Sequence, residues 1–85
     1  MKARYTRSFL KDYQRLPEEI QKSFDDKLEL LLGDLRHPSL RVKKMKVTHS
    51  IWEMRITLNH RLTCEMGEEE ILLRRIGTHD VLRNP

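Results

Sequence analysis

The sequence has little of what disulfide-rich, membrane-spanning or nucleotide-binding proteins require. Cys64 is the only cysteine in 85 residues, so no disulfide and no Cys-based metal site can form within one chain. No apolar run approaches the length of a membrane span, and the N-terminus lacks the apolar segment of a signal peptide. The three glycines form no phosphate-binding loop, and no His, Cys and carboxylate spacing is typical of a metal site. These absences predict a cytoplasmic protein that binds no membrane and no cofactor.

Length and charge indicate one domain, residues 1–85, with a localised basic region. Residues 1–36 contain eight basic and seven acidic side chains, whereas Glu53 is the only acid between residues 41 and 61. The six basic residues of that stretch are Arg41, Lys43, Lys44, Lys46, Arg55 and Arg61. Local positive charge is typical of a surface for a nucleic acid or an acidic protein. A solvated basic face without function is the alternative.

The first half of the chain predicts a short strand at residues 3–6 followed by two helices. Phe9, Leu10, Tyr13 and Leu16 recur at helical spacing, and Pro17 then separates this helix from a longer one. The longer helix has one apolar stripe, formed by Ile20, Phe24, Leu28, Leu31, Leu32 and Leu35. The two helices should form an antiparallel hairpin whose apolar stripe packs on a sheet.

The second half predicts a weak strand at residues 41–45 and three stronger strands at residues 51–58, 61–66 and 71–76. Apolar and polar residues alternate in them, which indicates a sheet with one buried face. The predicted fold is therefore α+β with the order β–α–α–β–β–β–β. In this fold the N-terminal strand and helical hairpin pack on a curved antiparallel sheet of four to five strands.

The alternation places Arg55 and Arg61 on the open face of the sheet. Strict alternation would put Arg75 and His79 on the opposite face, together with the apolar residues of the last strand. Either that strand is apolar on both faces, or a bulge near Gly77 re-aims His79. The sequence leaves both possibilities open.

Three arginines and a histidine suit the cleavage of RNA. Arginine matches phosphate oxygens with a rigid, permanently charged fork, and histidine is suited to proton transfer near neutral pH. Arg55, Arg61, Arg75 and His79 would suffice, unless the arginines are ordinary solvated residues. His60 either joins this site or is a turn residue, and His49 is expected to be a solvated loop residue.

Several segments resemble the RelE/ParE superfamily of bacterial and archaeal type II toxins, and within it the RelE and YafQ-like branch. The similarity includes residues 5–11, 15–17 and 38–45. It is most specific in the Trp52-x-x-Arg55 strand, in Arg61 near the start of the next strand, and in the Arg-x-Gly-Thr-His sequence at residues 75–79. The resemblance spans nearly the whole chain and implies a RelE-like fold.

The resemblance implies a toxin that enters the ribosomal A site and cuts mRNA there without a metal. His79 and Arg75 match catalytic positions of YafQ-like members, Arg61 matches a RelE-like arginine, and Arg55 falls on an active-site position. The basic residues before the third strand match the contacts with 16S rRNA and mRNA; they are Arg41, Lys43, Lys44 and Lys46. A cognate acidic antitoxin is the implied protein partner.

Two departures from the family leave the general base open. Asn59 and His60 replace an Asp-Trp pair of some YafQ-like members, and Arg55 replaces a histidine. His60 is one candidate for the base.

A ParE-like toxin that inhibits DNA gyrase without cutting RNA is the second interpretation. The third is a non-toxic relative that only binds nucleic acid or an antitoxin.

Overall fold

The computed structural model describes residues 1–34, 37–46 and 50–85. The elements in chain order are β1 (Lys2–Tyr5), α1 (Arg7–Arg15), α2 (Glu18–Gly33), β2 (Lys43–Lys44), β3 (Trp52–Arg55), β4 (Arg61–Met66) and β5 (Glu70–Gly77). Short 3₁₀ helices lie at Pro38–Leu40 and His79–Leu82. The predicted α+β class and element order are confirmed. Leu35 of the predicted stripe and His49 of the predicted loop lie outside the described residues.

The sheet is mixed rather than wholly antiparallel. Its strand order is β1-β5-β4-β3-β2, with β1 parallel to β5 and the other three pairs antiparallel. Strands β2 to β5 follow one another through connections that allow antiparallel pairing, whereas nearly the whole chain separates β1 from β5. The alternation of apolar and polar side chains along β1 does not indicate whether a strand so distant in sequence pairs with it in parallel or antiparallel.

Helix α1 begins at a capping threonine that also attaches the helix to the sheet. Thr6 Oγ1 accepts the N–H of Phe9 at 3.0 Å and donates to the carbonyl oxygen of Arg74 at 2.7 Å. Pro17 separates α1 from α2 as expected. In the described part of the chain, no helix has the length and apolar character needed to cross a membrane.

The core lies between the helices and one face of the sheet. Met54, Leu62 and Ile76 occupy one row across β3, β4 and β5, and all three are buried. Phe24 and Leu31 of α2 belong to the same buried cluster. The rest of the described stripe, namely Ile20, Leu28 and Leu32, is half-buried. The predicted apolar stripe of α2 therefore does cover the sheet.

An irregularity in the pairing of β5 with β4 determines the positions of Arg74 and Arg75. Thr63 pairs with Arg75, but the next residue of β4, Cys64, pairs with Leu73, so Arg74 is the extra residue of a bulge. A bulge was expected near Gly77 as one alternative, and it lies three residues earlier. Because of it, Leu73 and Ile76 both reach the core although an odd number of positions separates them.

Candidate functional site

An open cleft of about 510 Å³ lies on the face of the sheet that the helices leave uncovered. Its lining contains four permanent cations and one carboxylate, so the cleft is strongly positive. The lining residues are Arg41, Val42, Lys43, Glu53, Arg55, Arg61, His79 and Leu82. Arg41, Lys43, Arg55, Arg61 and His79 were predicted from the sequence as functional residues, and the structure brings these five together.

The register of three strands places the central side chains. Arg55 of β3 pairs with Arg61 of β4, and Arg61 pairs with Gly77 of β5. His79 follows two residues later, at the start of the C-terminal 3₁₀ helix. Residues far apart in sequence are thus held in one row by the hydrogen bonds of the sheet.

Arg55 is a central arginine of the cleft that is available to a ligand, as the exposed Arg41 also is. Its side chain is half-buried and has no ion-pair or hydrogen-bond partner among the described residues. A guanidinium group in this state can donate to two oxygens of a bound phosphate. The open-face position predicted for Arg55 agrees with this geometry.

Arg61 lines the cleft but also stabilises the turn between β3 and β4. It is only 8% exposed, and its Nη1 donates to the carbonyl oxygens of Thr57, Leu58 and His60 at 3.0, 3.0 and 3.1 Å. These bonds hold the guanidinium in place, because a buried cation needs acceptors. Arg61 therefore contributes fixed positive charge to the floor of the cleft.

Glu53 is a cleft residue that the sequence analysis did not select. Its carboxylate lies 3.4 Å from Lys43 Nζ, and the Glu53 side chain is only 13% exposed. Two signals pointed to it: it is the only acid in the basic stretch, and it shares the open face with Arg55. The cleft therefore contains a carboxylate as well as an imidazole, which are the two kinds of group needed for paired proton transfer.

The C-terminal segment brings His79 to the cleft. The missing side chain of Gly77 makes room for Val81, since a Cβ on Gly77 would lie 2.9 Å from Val81 Cγ1. Further along, the main-chain oxygen of Pro85 accepts bonds from Thr63 Oγ1 at 3.2 Å and Arg74 Nε at 2.9 Å. The His79 side chain is exposed and has no hydrogen-bond partner among the described residues.

Arg75 does not line the cleft. Its Nε and Nη2 donate to the two carboxylate oxygens of Asp12 at 2.6 and 3.1 Å, and its Nη1 donates to the carbonyl oxygen of Asn84 at 3.2 Å. Hydrogen bonding to Asp12 raises the pKa of Arg75, while partial burial acts in the opposite direction. The expected direct contact between Arg75 and a phosphate is therefore absent from this arrangement, because the guanidinium binds a carboxylate of the protein.

Three other predicted site residues also lie outside the lining of the cleft. His60 is part of the β3–β4 turn, where its Nδ1 is hydrogen-bonded to Thr57 Oγ1 at 2.9 Å. Lys44 Nζ lies 5.8 Å from the centre of the Trp52 ring, and Lys46 is exposed after β2. Within the described ranges, no three His, Cys, Asp or Glu side chains are close enough to bind a metal ion.

The fold is shared with several solved toxin structures. Archaeal RelE in the RelB–RelE antitoxin–toxin complex from Methanococcus jannaschii has a TM-score of 0.77 and 22% identity, with 95% of both chains covered. YafQ from Escherichia coli has a TM-score of 0.81 and 15% identity, over 95% of this chain and 96% of YafQ. The YoeB/ParE toxin from Agrobacterium tumefaciens has a TM-score of 0.78 and 21% identity, over 93% and 99%.

The sequence itself identifies the family. Residues 3–82 match the family described as ParE toxin of type II toxin-antitoxin system, parDE, and the chain belongs to this family. No curated protein sequence matches it. The protein is therefore the toxin component of a type II toxin–antitoxin system, and the RelE/ParE resemblance seen in the sequence is confirmed.

Proposed function

We propose that this toxin is a ribosome-dependent endoribonuclease that cleaves mRNA in the A site. The observation that supports this function best is the convergence of Arg55, Arg61 and His79, from three separate segments, on one positive cleft. Such a cleft fits a phosphodiester, whose negative charge increases in the transition state of cleavage.

The proposed reaction needs only proton transfer and charge stabilisation. The RNA 2′-oxygen loses its proton and attacks phosphorus, the bond from phosphorus to the 5′-oxygen breaks, and the 5′-oxygen takes up a proton. The products are a 2′,3′-cyclic phosphate and a 5′-hydroxyl. Arg55 and Arg61 stabilise the negative charge on the non-bridging phosphate oxygens, His79 donates the proton to the leaving 5′-oxygen, and Glu53 accepts the proton of the 2′-hydroxyl.

The ribosome supplies the selection of the substrate in this proposal. Arg41, Lys43 and Arg55 can contact phosphates, which are the same in every RNA, so the cleft itself has little means of choosing a sequence. A message held in the A site presents one phosphodiester in a fixed geometry. Positioning of this kind lowers the barrier to reaction by avoiding the loss of orientational freedom.

The test is cleavage of a defined message on purified ribosomes. The native toxin should cut within the A-site codon, and His79→Ala should lower the rate by about two orders of magnitude or more. Because His79 is exposed, the His79→Ala variant should keep the thermal stability of the native toxin. Lys22→Ala, at an exposed position on α2, is the control and should keep full activity. Absence of cleavage by the native toxin, or equal cleavage by His79→Ala, would reject the proposal.

A second candidate function is inhibition of DNA gyrase, which the match to the ParE family favours. A gyrase inhibitor would block supercoiling by purified gyrase and leave ribosome-bound mRNA intact. In that case the cleft would bind an acidic surface, and His79→Ala would have little effect on inhibition. The two assays, performed on the same preparation, separate the candidates.

The cognate antitoxin is the proposed protein partner. RelE from Methanococcus jannaschii forms a complex with the antitoxin RelB. An acidic segment of an antitoxin could cover the cleft, because Arg41, Lys43 and Arg55 offer positive charge there. A neighbouring gene for a short acidic protein would support this pairing.

A further inference from the structure

The connection between β4 and β5 carries the most concentrated negative charge of the chain. Residues 67–70, here named the acidic turn, have the sequence Gly-Glu-Glu-Glu, which contains the only run of three acids in the sequence. All four residues are exposed. Arg4 Nε lies 3.7 Å from the Glu70 carboxylate, whereas the side chains of Glu68 and Glu69 have no ion-pair or hydrogen-bond partner among the described residues. Two carboxylates of this turn are therefore not neutralised within the described part of the protein.

The backbone of the acidic turn is fixed by hydrogen bonds. The N–H of Gly67 donates to the carbonyl oxygen of Glu70 at 2.8 Å, and the N–H of Lys2 in β1 donates to the carbonyl oxygen of Glu69 at 2.9 Å. A Cβ on Gly67 would lie 3.0 Å from the same Glu70 oxygen, so the turn is tight. A fixed turn loses little conformational freedom when it binds, which favours its use as a contact surface.

The acidic turn and the cleft lie at opposite ends of β4. Arg61, the first residue of this strand, lines the cleft, and Met66, the last, directly precedes the acidic turn. Six residues of extended strand span about 20 Å, and β4 is paired with a strand on each side. The acidic turn therefore cannot enter the cleft of its own chain. A second copy can present its acidic turn to that cleft without any change of fold.

The cleft can bind carboxylates through the same groups that would bind phosphates. A guanidinium group forms two parallel hydrogen bonds with either kind of anion. Arg41 and Arg55 line the cleft, and their side chains have no ion-pair or hydrogen-bond partner among the described residues. The two unpaired carboxylates of the acidic turn, Glu68 and Glu69, thus match two unpaired guanidinium groups of the cleft in number and in charge.

We propose that the acidic turn of one toxin copy docks in the cleft of another copy and blocks it. The two surfaces lie at opposite ends of one strand, so the contact is head-to-tail and further copies add in an open chain. Because the interface is small and charged, the association should be weak and should require a high toxin concentration.

The contact would regulate the cleft. A docked acidic turn excludes a message from Arg55 and His79, so free toxin that accumulates would limit its own activity. This regulatory meaning rests on the proposed nuclease function, whereas the contact itself requires only that the cleft bind anions.

Sedimentation equilibrium of the purified full-length toxin tests the contact. Glu68→Gln/Glu69→Gln is the turn variant, and Glu18→Gln/Glu19→Gln is the matched control, which removes two adjacent exposed carboxylates at the start of α2. At low salt the mean mass of the native toxin should rise with concentration, and the turn variant should associate about tenfold more weakly. The control should associate like the native toxin. At about 1 M salt, where the screening length falls to about 3 Å, all three should be monomers.

A mixing experiment tests which surfaces meet. Arg41→Gln/Arg55→Gln removes two cations of the cleft and keeps the acidic turn, whereas the turn variant keeps the cleft. Each variant alone should associate weakly. An equimolar mixture should form a one-to-one complex that does not grow further, because only one pair of complementary surfaces remains. The proposal would be overturned by a mixture that associates as weakly as its components, or by a control variant that associates as weakly as the turn variant.

NMR chemical shifts provide a measurement that needs no variant. On dilution of the native toxin at low salt, the amide signals of Gly67 and His79 should shift together, since both surfaces are released in the same step. Signals that do not change with concentration would overturn the proposal, and binding of a poly-glutamate peptide in the cleft would then assign that site to another acidic chain. Because no cleavage is measured, failure here is distinct from failure of the nuclease proposal.

Discussion

Asp12 of α1 receives two hydrogen bonds from the guanidinium of Arg75 in β5, at 2.6 and 3.1 Å, across 63 positions of sequence. The same carboxylate accepts the backbone N–H of Ile76 at 3.2 Å. Strand β1 pairs with β5 only as far as Leu73, so this N–H lies beyond the end of β1. Asp12 thus accepts a hydrogen bond from the part of the β5 edge that β1 does not pair with, and it also holds the Arg75 side chain in place.

The first prediction concerns this ion pair. Asp12→Ala and Arg75→Ala should each lower the free energy of unfolding by about 1–3 kcal/mol, because each leaves a partly buried charged group without its partner. The double variant should cost less than the sum of the two, because the second change removes a group that has already lost its partner. Urea denaturation of the four proteins measures this coupling. Strictly additive losses would show that the pair contributes nothing to stability.

The same variants separate two roles of Arg75 in cleavage. A direct phosphate contact predicts a loss of about two orders of magnitude for Arg75→Ala. The observed contacts with Asp12 and Asn84 predict a smaller loss, equal for Asp12→Ala and Arg75→Ala when rates are corrected for the folded fraction. A large loss in Arg75→Ala alone would mean that Arg75 leaves Asp12 and contacts the RNA.

The second prediction concerns Gly77. A Cβ at this position would approach Val81 Cγ1 to 2.9 Å, so Gly77→Ala must shift the 3₁₀ helix that contains His79, and should cost about 1–3 kcal/mol. Gly33→Ala is the matched control, because a Cβ there meets no described atom within 4 Å and should stabilise α2 by about 0.5 kcal/mol. Thermal unfolding and cleavage assays should show both defects in Gly77→Ala only. Normal stability with normal cleavage in Gly77→Ala would refute this account of how His79 is positioned.

The third prediction is a pH dependence that originates in the core. Burial raises the pKa of the Cys64 thiol from 9.0 to about 12. The stabilising effect of the neutral thiol is complete below pH 9 and is lost as the pH rises toward 12, because the unfolded chain releases this proton first. Over this pH range, ionisation of Cys64 lowers the free energy of unfolding by at most about 1.4 kcal/mol per pH unit.

Cys64→Ala is the control for this effect. Unfolding by urea between pH 8 and pH 10.5 should show a steeper decline for the native protein than for the variant, whatever the lysine and tyrosine side chains contribute to both. Parallel curves would mean that Cys64 ionises as easily in the folded state as in the unfolded state.

Local patterns were sufficient for the elements whose partners are near in sequence. The alternation around Cys64 predicted β4 at residues 61–66, and the structure has the same bounds. The stripe that includes Phe24 and Leu31 predicted α2. Both patterns report which side of an element is buried, and burial is what stabilises the element. The open-face placement of Arg55 followed from the same period.

Long-range relationships were not available from such patterns. The parallel pairing of β1 with β5 depends on where the chain returns after more than sixty residues. The bulge at Arg74 has no side-chain signature, and it decides where Arg75 lies. Asp12 looked like an ordinary helix residue, since nothing in α1 indicates a partner in β5. The resemblance to RelE and YafQ-like toxins placed Arg75 in the site by sequence order, which does not specify the direction of its side chain.

The two kinds of group in the cleft are anchored in different ways. Arg55 and Arg61 belong to strands within the sheet, whereas His79 stands on a short helix that is attached through Val81 and through the main-chain oxygens of Asn84 and Pro85. Detachment of this segment would remove the His79 imidazole from the cleft, while the strands of the sheet would stay paired. If His79 acts as proposed, the protein could therefore lose its activity while its sheet and helices stay folded.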